Sequence, residues 1–280
     1  MIYMPYILLR LLIEAITPRR LLFRLPRRLQ QTIWARAHGP LAHARAFPGI
    51  NREWVAYDCL RRALAAYPGN MTVLEFGCAF GAFTGKLLSL VELLRADTRV
   101  QVVAFDTFSG MPSATDASDR LPHSPYSKGS PWVEGSFAAD EQEVDRHLRG
   151  MGYTNFQLVK GPFSESLTDA LLSDLSSAPP ALVIIDCDYY SSTRDVLSRV
   201  LKIAPSGTVF YFDDVWFNWY SKRSGELRAI DEVNSGCFGE QFELVEDYRL
   251  GMLSQRVYRL VRHDSEADGR TNVGDLRPRK

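Results

Sequence analysis

No two cysteines in this 280-residue chain stand at CxxC spacing: Cys59, Cys78, Cys187 and Cys237 are far apart, and two of them fall within apolar, core-like segments. That excludes a disulfide-stapled scaffold and a cysteine-rich zinc site. Net charge is also missing, because 33 Lys+Arg offset 33 Asp+Glu. With no overall field to attract phosphate, nucleic acid is not an expected partner. No apolar run is long enough to span a bilayer. The most apolar stretch, Met1 to Ile16, is interrupted by Arg10 and Glu14, and Arg19, Arg20, Arg24, Arg27 and Arg28 follow it. It also lacks the charged start and small-residue cleavage site of a secretory signal. No internal repeat or linker divides the chain, and its 46% apolar and 24% charged residues are those of an ordinary globular protein with a sizeable core.

What is there begins with residues 1–49, which read as basic amphipathic helices. Two uses stay open: packing of Leu8, Leu11, Leu12, Leu22 and Leu25 on the domain or on a second subunit of a homo-oligomer, or peripheral contact of residues 1–36 with a membrane surface. A single domain is expected over residues 50–261, with a disordered polar tail over 262–280. The expected location is the cytoplasm, with the inner membrane surface as the alternative.

Between those ends a strand and helix rhythm repeats. Thr72 to Phe76, Val100 to Phe105, Phe156 to Val159, Ala181 to Ile185 and Thr208 to Phe212 are short, apolar and β-prone. Helical periodicity runs over Asn51 to Tyr67, Ala79 to Leu94, Phe137 to Met151, Ser164 to Leu175, Ser191 to Ile203 and Gly225 to Val233. Phe242 to Val245 and Gln255 to Val261 alternate like a hairpin-like pair, the last strand antiparallel. The expected fold is α/β and Rossmann-like, a mostly parallel central sheet of about seven strands with helices on both faces. Gly110 to Gly135, rich in Ser, Pro, Gly and Asp, reads as a functional loop and a candidate substrate lid.

The chain is organised around Val73-Leu-Glu-Phe-Gly-Cys-Ala-Phe-Gly-Ala-Phe83, which joins the first strand to its helix through Gly77 and Gly81. Glycine there admits a ligand to the main chain at a helix N-terminus, although glycine after a strand also serves packing. Acids end three strands: Asp106, then Asp186 and Asp188, then Asp213 and Asp214. In nucleoside-binding folds an acid placed like Asp106 accepts hydrogen bonds from ribose hydroxyls; an ordinary turn cap is the alternative. If the fourth and fifth strands are neighbours, their carboxylates crowd one rim and repel unless a cation intervenes. An all-aspartate set without His or Cys suits Mg²⁺ better than Zn²⁺. Capping by Asp188 and salt bridges to Arg194 or Lys222 are the structural alternatives, and Glu226 after Gly225 reads equally as a contributor to the site and as a cap of the following helix.

These motifs carry a resemblance. Val73-Leu-Glu-Phe-Gly-Cys-Ala-Phe-Gly81, Phe105-Asp-Thr-Phe-Ser-Gly-Met-Pro112, Gly161-Pro-Phe-Ser-Glu-Ser-Leu167, Ile185-Asp-Cys-Asp-Tyr-Tyr-Ser-Ser-Thr193 and Phe212-Asp-Asp214 occur in this order. Over residues 50 to 261 the chain resembles class I S-adenosylmethionine-dependent methyltransferases, and within them the macrocin O-methyltransferase type that acts on sugars of macrolide natural products. The resemblance implies that Glu75, Gly77 and Gly81 line the methionine portion of S-adenosylmethionine. It places Asp106 on the ribose, with Thr107 beside it, and Phe163 and Ser164 near the adenine. It implies Asp186, Asp213 and Asp214 as Mg²⁺ ligands and Asp186 as general base, with Asp188 held in reserve. The acceptor implied is a hydroxyl of a small-molecule sugar or glycoconjugate. In that chemistry Mg²⁺ lowers the hydroxyl pKa, a carboxylate removes the proton, and the methyl group transfers by in-line displacement. Cys78-Ala-Phe80, the basic N-terminal helices and the aromatic stretch Trp216-Phe-Asn-Trp-Tyr220 depart from the family's pattern.

Two other classes compete. An NAD(P)-dependent oxidoreductase could use the same sheet, but the first loop has no GxGxxG and the acid cluster has no role in hydride transfer. A non-catalytic module could use the acids for a structural ion.

Overall fold

Continuous apolar runs bounded by glycine or aspartate become the buried strands of one sheet. The computed structural model of the protein describes residues 52–120, 133–215, 220–247 and 255–263. The basic helices expected in residues 1–49, most of the polar tail and the aromatic positions 216–219 lie outside them.

The sheet has seven strands in the order β3-β2-β1-β4-β5-β7-β6. They are β1 (Met71–Phe76), β2 (Val100–Asp106), β3 (Phe156–Lys160), β4 (Pro180–Ile185), β5 (Val209–Phe212), β6 (Phe242–Glu246) and β7 (Arg256–Arg262). The first five pair in parallel, and β7 inserts antiparallel between β5 and β6. Strands β1, β4 and β5 are buried along their whole length, as central parallel strands covered on both faces must be. The fold is therefore the Rossmann-like methyltransferase fold that the strand and helix rhythm predicts.

Among the described residues seven helices cover the sheet: α1 (Arg52–Ala66), α2 (Ala82–Leu93), α3 (Glu141–Gly150), α4 (Phe163–Ser166), α5 (Asp169–Ser177), α6 (Tyr190–Ile203) and α7 (Gly225–Asn234). Two apolar cores result, one on each face. Residues of α1, α2 and α3, among them Leu60, Leu87 and Leu148, pack on one side; residues of α5, α6 and α7, among them Leu172, Val196 and Ile230, pack on the other.

Two expected helices differ. The helix expected from Phe137 starts instead at Glu141, because Asp140 caps it by accepting from the Gln142 and Glu143 N–H groups while Phe137 lies in the left-handed region. The single helix expected over Ser164 to Leu175 breaks into α4 and α5. Leu167 turns inward to be buried, and the Thr168 hydroxyl restarts the helix by capping the Leu171 N–H. The described part of the loop after β2 includes a 3-10 turn, Ala117–Arg120.

Among the described residues no helix is long and apolar enough to cross a membrane.

Candidate active site

A parallel sheet ends all its forward strands on one rim, and in open α/β sheets ligands bind there. At this rim a cavity of about 540 Å³ is lined by residues following each of the first five strands: Gly77, Asp106, Phe163, Asp186 and Asp214 among them. The backbone ladder runs past the strand ends and draws these residues together. Gly77 N–H donates to the Phe105 carbonyl, Asp186 N–H to Phe76, and Asp213 N–H to Ile185.

The turn after β1 is held in place by the acid after β2. Asp106 Oδ2 accepts the Ala79 N–H at 2.7 Å and Oδ1 accepts the Phe108 N–H at 2.7 Å. The cap and the site residue are thus one group: a carboxylate has about four lone-pair positions, and two are used to shape the turn while the side chain still lines the cavity. Thr107 lines the cavity beside it, its hydroxyl donating to the Gly110 carbonyl at 2.8 Å. Phe163 and Ser164 open α4 at the same end, and the Phe163 ring meets Phe76 edge-on at 5.4 Å.

The two glycines differ in role. Gly77, at φ 94°, lines the cavity. Gly81, at φ 69°, precedes α2 and does not line it; a Cβ there would meet Val144 Cγ1 at 2.5 Å, so this glycine admits α3. Glu75 is fully buried and does not line the cavity; its Oε2 accepts the Thr84 hydroxyl at 2.7 Å and ties β1 to α2.

At the opposite end of the cavity stand the acids. Asp186, Asp213 and Asp214 each offer a carboxylate oxygen, and the three atoms lie within 4.8 Å of one another. Asp213 also accepts the Tyr211 hydroxyl at 2.5 Å. Asp188 joins the cluster at the cavity wall, in the left-handed conformation at φ 60°. Desolvation, then the facing Asp214 and Asp186 carboxylates, push its pKa well above the usual range. In sequence Glu226 reads equally as a site residue and as a cap of the following helix. It reaches back to accept the Asp214 N–H at 2.9 Å, while its other oxygen is buried without a hydrogen-bond partner. Burial first, then Asp214 and Asp213, raise its pKa well above normal.

This donor set fits a hard divalent cation. Three convergent carboxylates with a buried acid behind them concentrate negative charge, and only oxygen donors converge, as Mg²⁺ prefers. The nearby thiols offer no competing chemistry, since burial raises the pKa of both Cys78 and Cys187. Backbone strain collects here as well: Ala79, Phe137 and Asp188 have positive φ and all line the cavity.

A glycine turn, an acid at the end of β2 and a roomy cleft on the carboxyl rim form the ligand site of an open α/β sheet. Residues 74–215 match a family model described as a methyltransferase domain, half of the chain, and the chain belongs to that family. It is a methyltransferase enzyme, and the family implies S-adenosylmethionine as its cofactor. No curated protein matches it by sequence. Among solved structures it is similar to CalS11, a calicheamicin methyltransferase, with TM-score 0.58 and 21% identity over 86% of this chain and 88% of that one. The O-methyltransferase NovP gives TM-score 0.56 and 20% identity over 76% and 81% of the two chains. The apo form of CalS11, described as a TDP-rhamnose 3'-O-methyltransferase of calicheamicin biosynthesis, gives 0.51 and 19% over 86% and 90%. These likenesses show the fold.

Proposed function

We propose that the protein is a Mg²⁺-assisted O-methyltransferase acting on a hydroxyl of a sugar or glycosylated natural product, of the macrocin O-methyltransferase type. The observation that carries this reading is the cavity's polarity: Asp106, Thr107, Phe163 and Ser164 line one end, and Asp186 and Asp214 line the other, with Asp213 beside them. The sugar class is carried over from the sequence motifs and from CalS11, which shares the fold and is described as acting on TDP-rhamnose.

Asp106 holds the ribose hydroxyls with the lone pairs its own turn leaves free, and Phe163 and Ser164 flank the base. Gly77 lets the methionine portion approach the main chain, while Glu75 and Gly81 act from behind it by fixing α2 and α3. Asp186, Asp213 and Asp214 would hold the cation. Bound Mg²⁺ lowers the pKa of an adjacent hydroxyl, and bound S-adenosylmethionine supplies the methyl group. Asp186 is the general base. Asp188 lines the cavity beside it. Positioning donor and acceptor in one cleft supplies much of the rate.

The nicotinamide alternative falls with the family assignment.

Calorimetric titration with S-adenosylhomocysteine, with and without Mg²⁺, tests the reading. Wild type should bind the nucleoside, Asp106→Ala should bind it poorly, and Asp213→Ala should lose the metal. An acceptor screen starting with deoxysugars then reads methyl transfer by mass. Absence of nucleoside binding by wild type would overturn the proposal.

A further inference from the structure

The loop after β2 is tied down far from where it starts, by Asp119 and Arg228, which lie in none of the motifs. Thr107, Gly110, Met111, Pro112, Ser113 and Thr115 all line the cavity, so this loop forms one wall from the Asp106 end onward. It leads into the 3-10 turn Ala117–Arg120, where Asp119 is almost completely buried. The Asp119 carboxylate leaves its own turn and caps α6 instead. Oδ1 accepts the Tyr190 N–H at 2.8 Å and Oδ2 accepts the Ser191 N–H at 3.3 Å. The residue in the N-cap position, Tyr189, supplies no side-chain cap, so a residue seventy-one positions before Tyr190 takes that role.

A second set of contacts closes the ring. Arg228 on α7 donates through Nη1 to Asp116 Oδ1 and to Ser118 Oγ, each at 3.1 Å, and through Nε to Glu232 at 3.0 Å. Its guanidinium lies 3.7 Å from the centroid of the Tyr190 ring, and the Tyr190 hydroxyl donates to Glu232 at 2.8 Å. Asp116 in turn accepts the Ser118 N–H and hydroxyl. Three parts of the chain, the loop after β2, the start of α6 and the exposed side of α7, therefore form one closed polar and cation–π network. The same α7 carries Glu226, which holds the Asp214 main chain, and the start of α6 follows Asp186 to Asp188 directly.

We propose that Asp119 and Arg228 are positioning residues: they clasp the cofactor-side loop to the start of α6, which follows Asp186 and Asp188, and to α7, and so set the wall of the nucleoside half of the cavity relative to the metal half. Neither residue lines the cavity. The inference rests on the methyltransferase reading of that cavity. It differs from a general structural role in what it predicts: loosening the clasp frees the loop over the nucleoside, whereas the three metal aspartates stay on their strand ends, anchored by Tyr211, by Glu226 and by the ladder.

The test measures S-adenosylhomocysteine and Mn²⁺ affinities separately by calorimetry, alongside thermal unfolding, for the full chain and for Asp119→Ala, Asp119→Asn, Arg228→Met and Arg228→Lys. Asp119→Ala and Arg228→Met should each weaken S-adenosylhomocysteine by about tenfold, the scale of a lost helix cap or charged hydrogen bond, while Mn²⁺ affinity changes less than about twofold. Asp119→Asn keeps a carbonyl acceptor for the Tyr190 N–H and should recover most of the affinity. Arg228→Lys keeps the charge but not the forked geometry and should recover little. If the variants bind the nucleoside like wild type, or lose nucleoside and Mn²⁺ in proportion to lost stability, the positioning role is wrong. If wild type itself binds no S-adenosylhomocysteine, the methyltransferase reading fails instead. Asp119→Ala that does not fold leaves Arg228→Met, on the more exposed side of the network, to decide.

Discussion

A Cβ on Gly77 would stand 1.9 Å from the carbonyl oxygen of Asp186. The glycine turn after β1 and the acid after β4 are therefore packed main chain against main chain, with the Asp186 N–H donating to Phe76 one residue earlier. In sequence they belong to separate motifs more than a hundred residues apart. In the fold the nucleoside half and the acidic half of the cavity share this contact, so any substitution that pries the two strands apart moves both halves.

Gly77→Ala should accordingly be costly in a way that no neighbouring side chain can relieve, because the obstacle is backbone and φ is 94°. We expect a loss of about 2–4 kcal/mol in urea unfolding, the sum of left-handed strain and overpacking. Gly81→Ala meets the Val144 side chain instead. Combining it with Val144→Ala should recover stability relative to Gly81→Ala alone, whereas no such partner exists for Gly77→Ala. Equal rescue at both positions would show that the Asp186 contact does not constrain the turn.

Tyr211→Phe probes the support of the metal aspartates. The Tyr211 ring is fully buried in β5 and its hydroxyl donates to Asp213 at 2.5 Å. Removing the hydroxyl frees Asp213 to turn without emptying the core. Loss of such an orienting bond weakens metal sites by about 10–100-fold, and we expect the lower end here for Mn²⁺. S-adenosylhomocysteine affinity should stay at the wild-type value. Unaltered Mn²⁺ binding would mean that Tyr211 is no more than core packing.

The fold was legible because its strands are mostly apolar runs: β1, β4 and β5 are buried throughout and are followed by glycine or aspartate, so periodicity and punctuation agree. Asp106, Asp186, Asp213 and Asp214 were legible for the same reason, since a strand end fixes where an acid points. Residues whose role depends on a partner far away in sequence were not. Asp119 sits in a polar loop with nothing near it to show that it caps a helix starting at Tyr190, and Arg228 looks like an ordinary charge on α7. Gly81 was readable as a ligand glycine or a packing glycine, and the packing against Val144 on α3 could not be seen in the sequence. Leu167 hid a helix break, because an apolar residue at helical spacing gives no sign that it will leave the helix to fill the core.

Protonation of Asp116 should loosen the loop after β2. Hydrogen bonds from the Ser118 N–H and hydroxyl, with a further contribution from Arg228, hold its pKa below the ordinary carboxylate value. A carboxyl whose folded pKa is depressed stabilises the fold above its unfolded pKa, about 3.9, and loses that contribution as pH falls through the folded value. The stability gap between wild type and Asp116→Asn should thus be full near neutral pH and shrink below about pH 4. Urea unfolding at several pH values measures it. A gap that stays constant into acid would show that the carboxylate charge of Asp116 contributes nothing.

Glu226→Gln separates folding from metal binding. Gln keeps an oxygen for the Asp214 N–H but removes a charge buried behind three other carboxylates, where one oxygen has no hydrogen-bond partner. Without a cation that charge is a liability, because its desolvation is uncompensated and its neighbours repel it. The metal-free variant should therefore melt above wild type, by about 2–6 °C. With a cation the sign reverses: the same charge lies close enough to Asp213 and Asp214 to favour a divalent ion, so Mn²⁺ should bind Glu226→Gln several-fold more weakly. Thermal melts of the two proteins across a Mn²⁺ titration should then cross, the variant ahead at zero metal and wild type ahead at saturation. Parallel curves that never cross would mean that Glu226 serves the Asp214 turn alone and that its charge is not coupled to the acidic cluster.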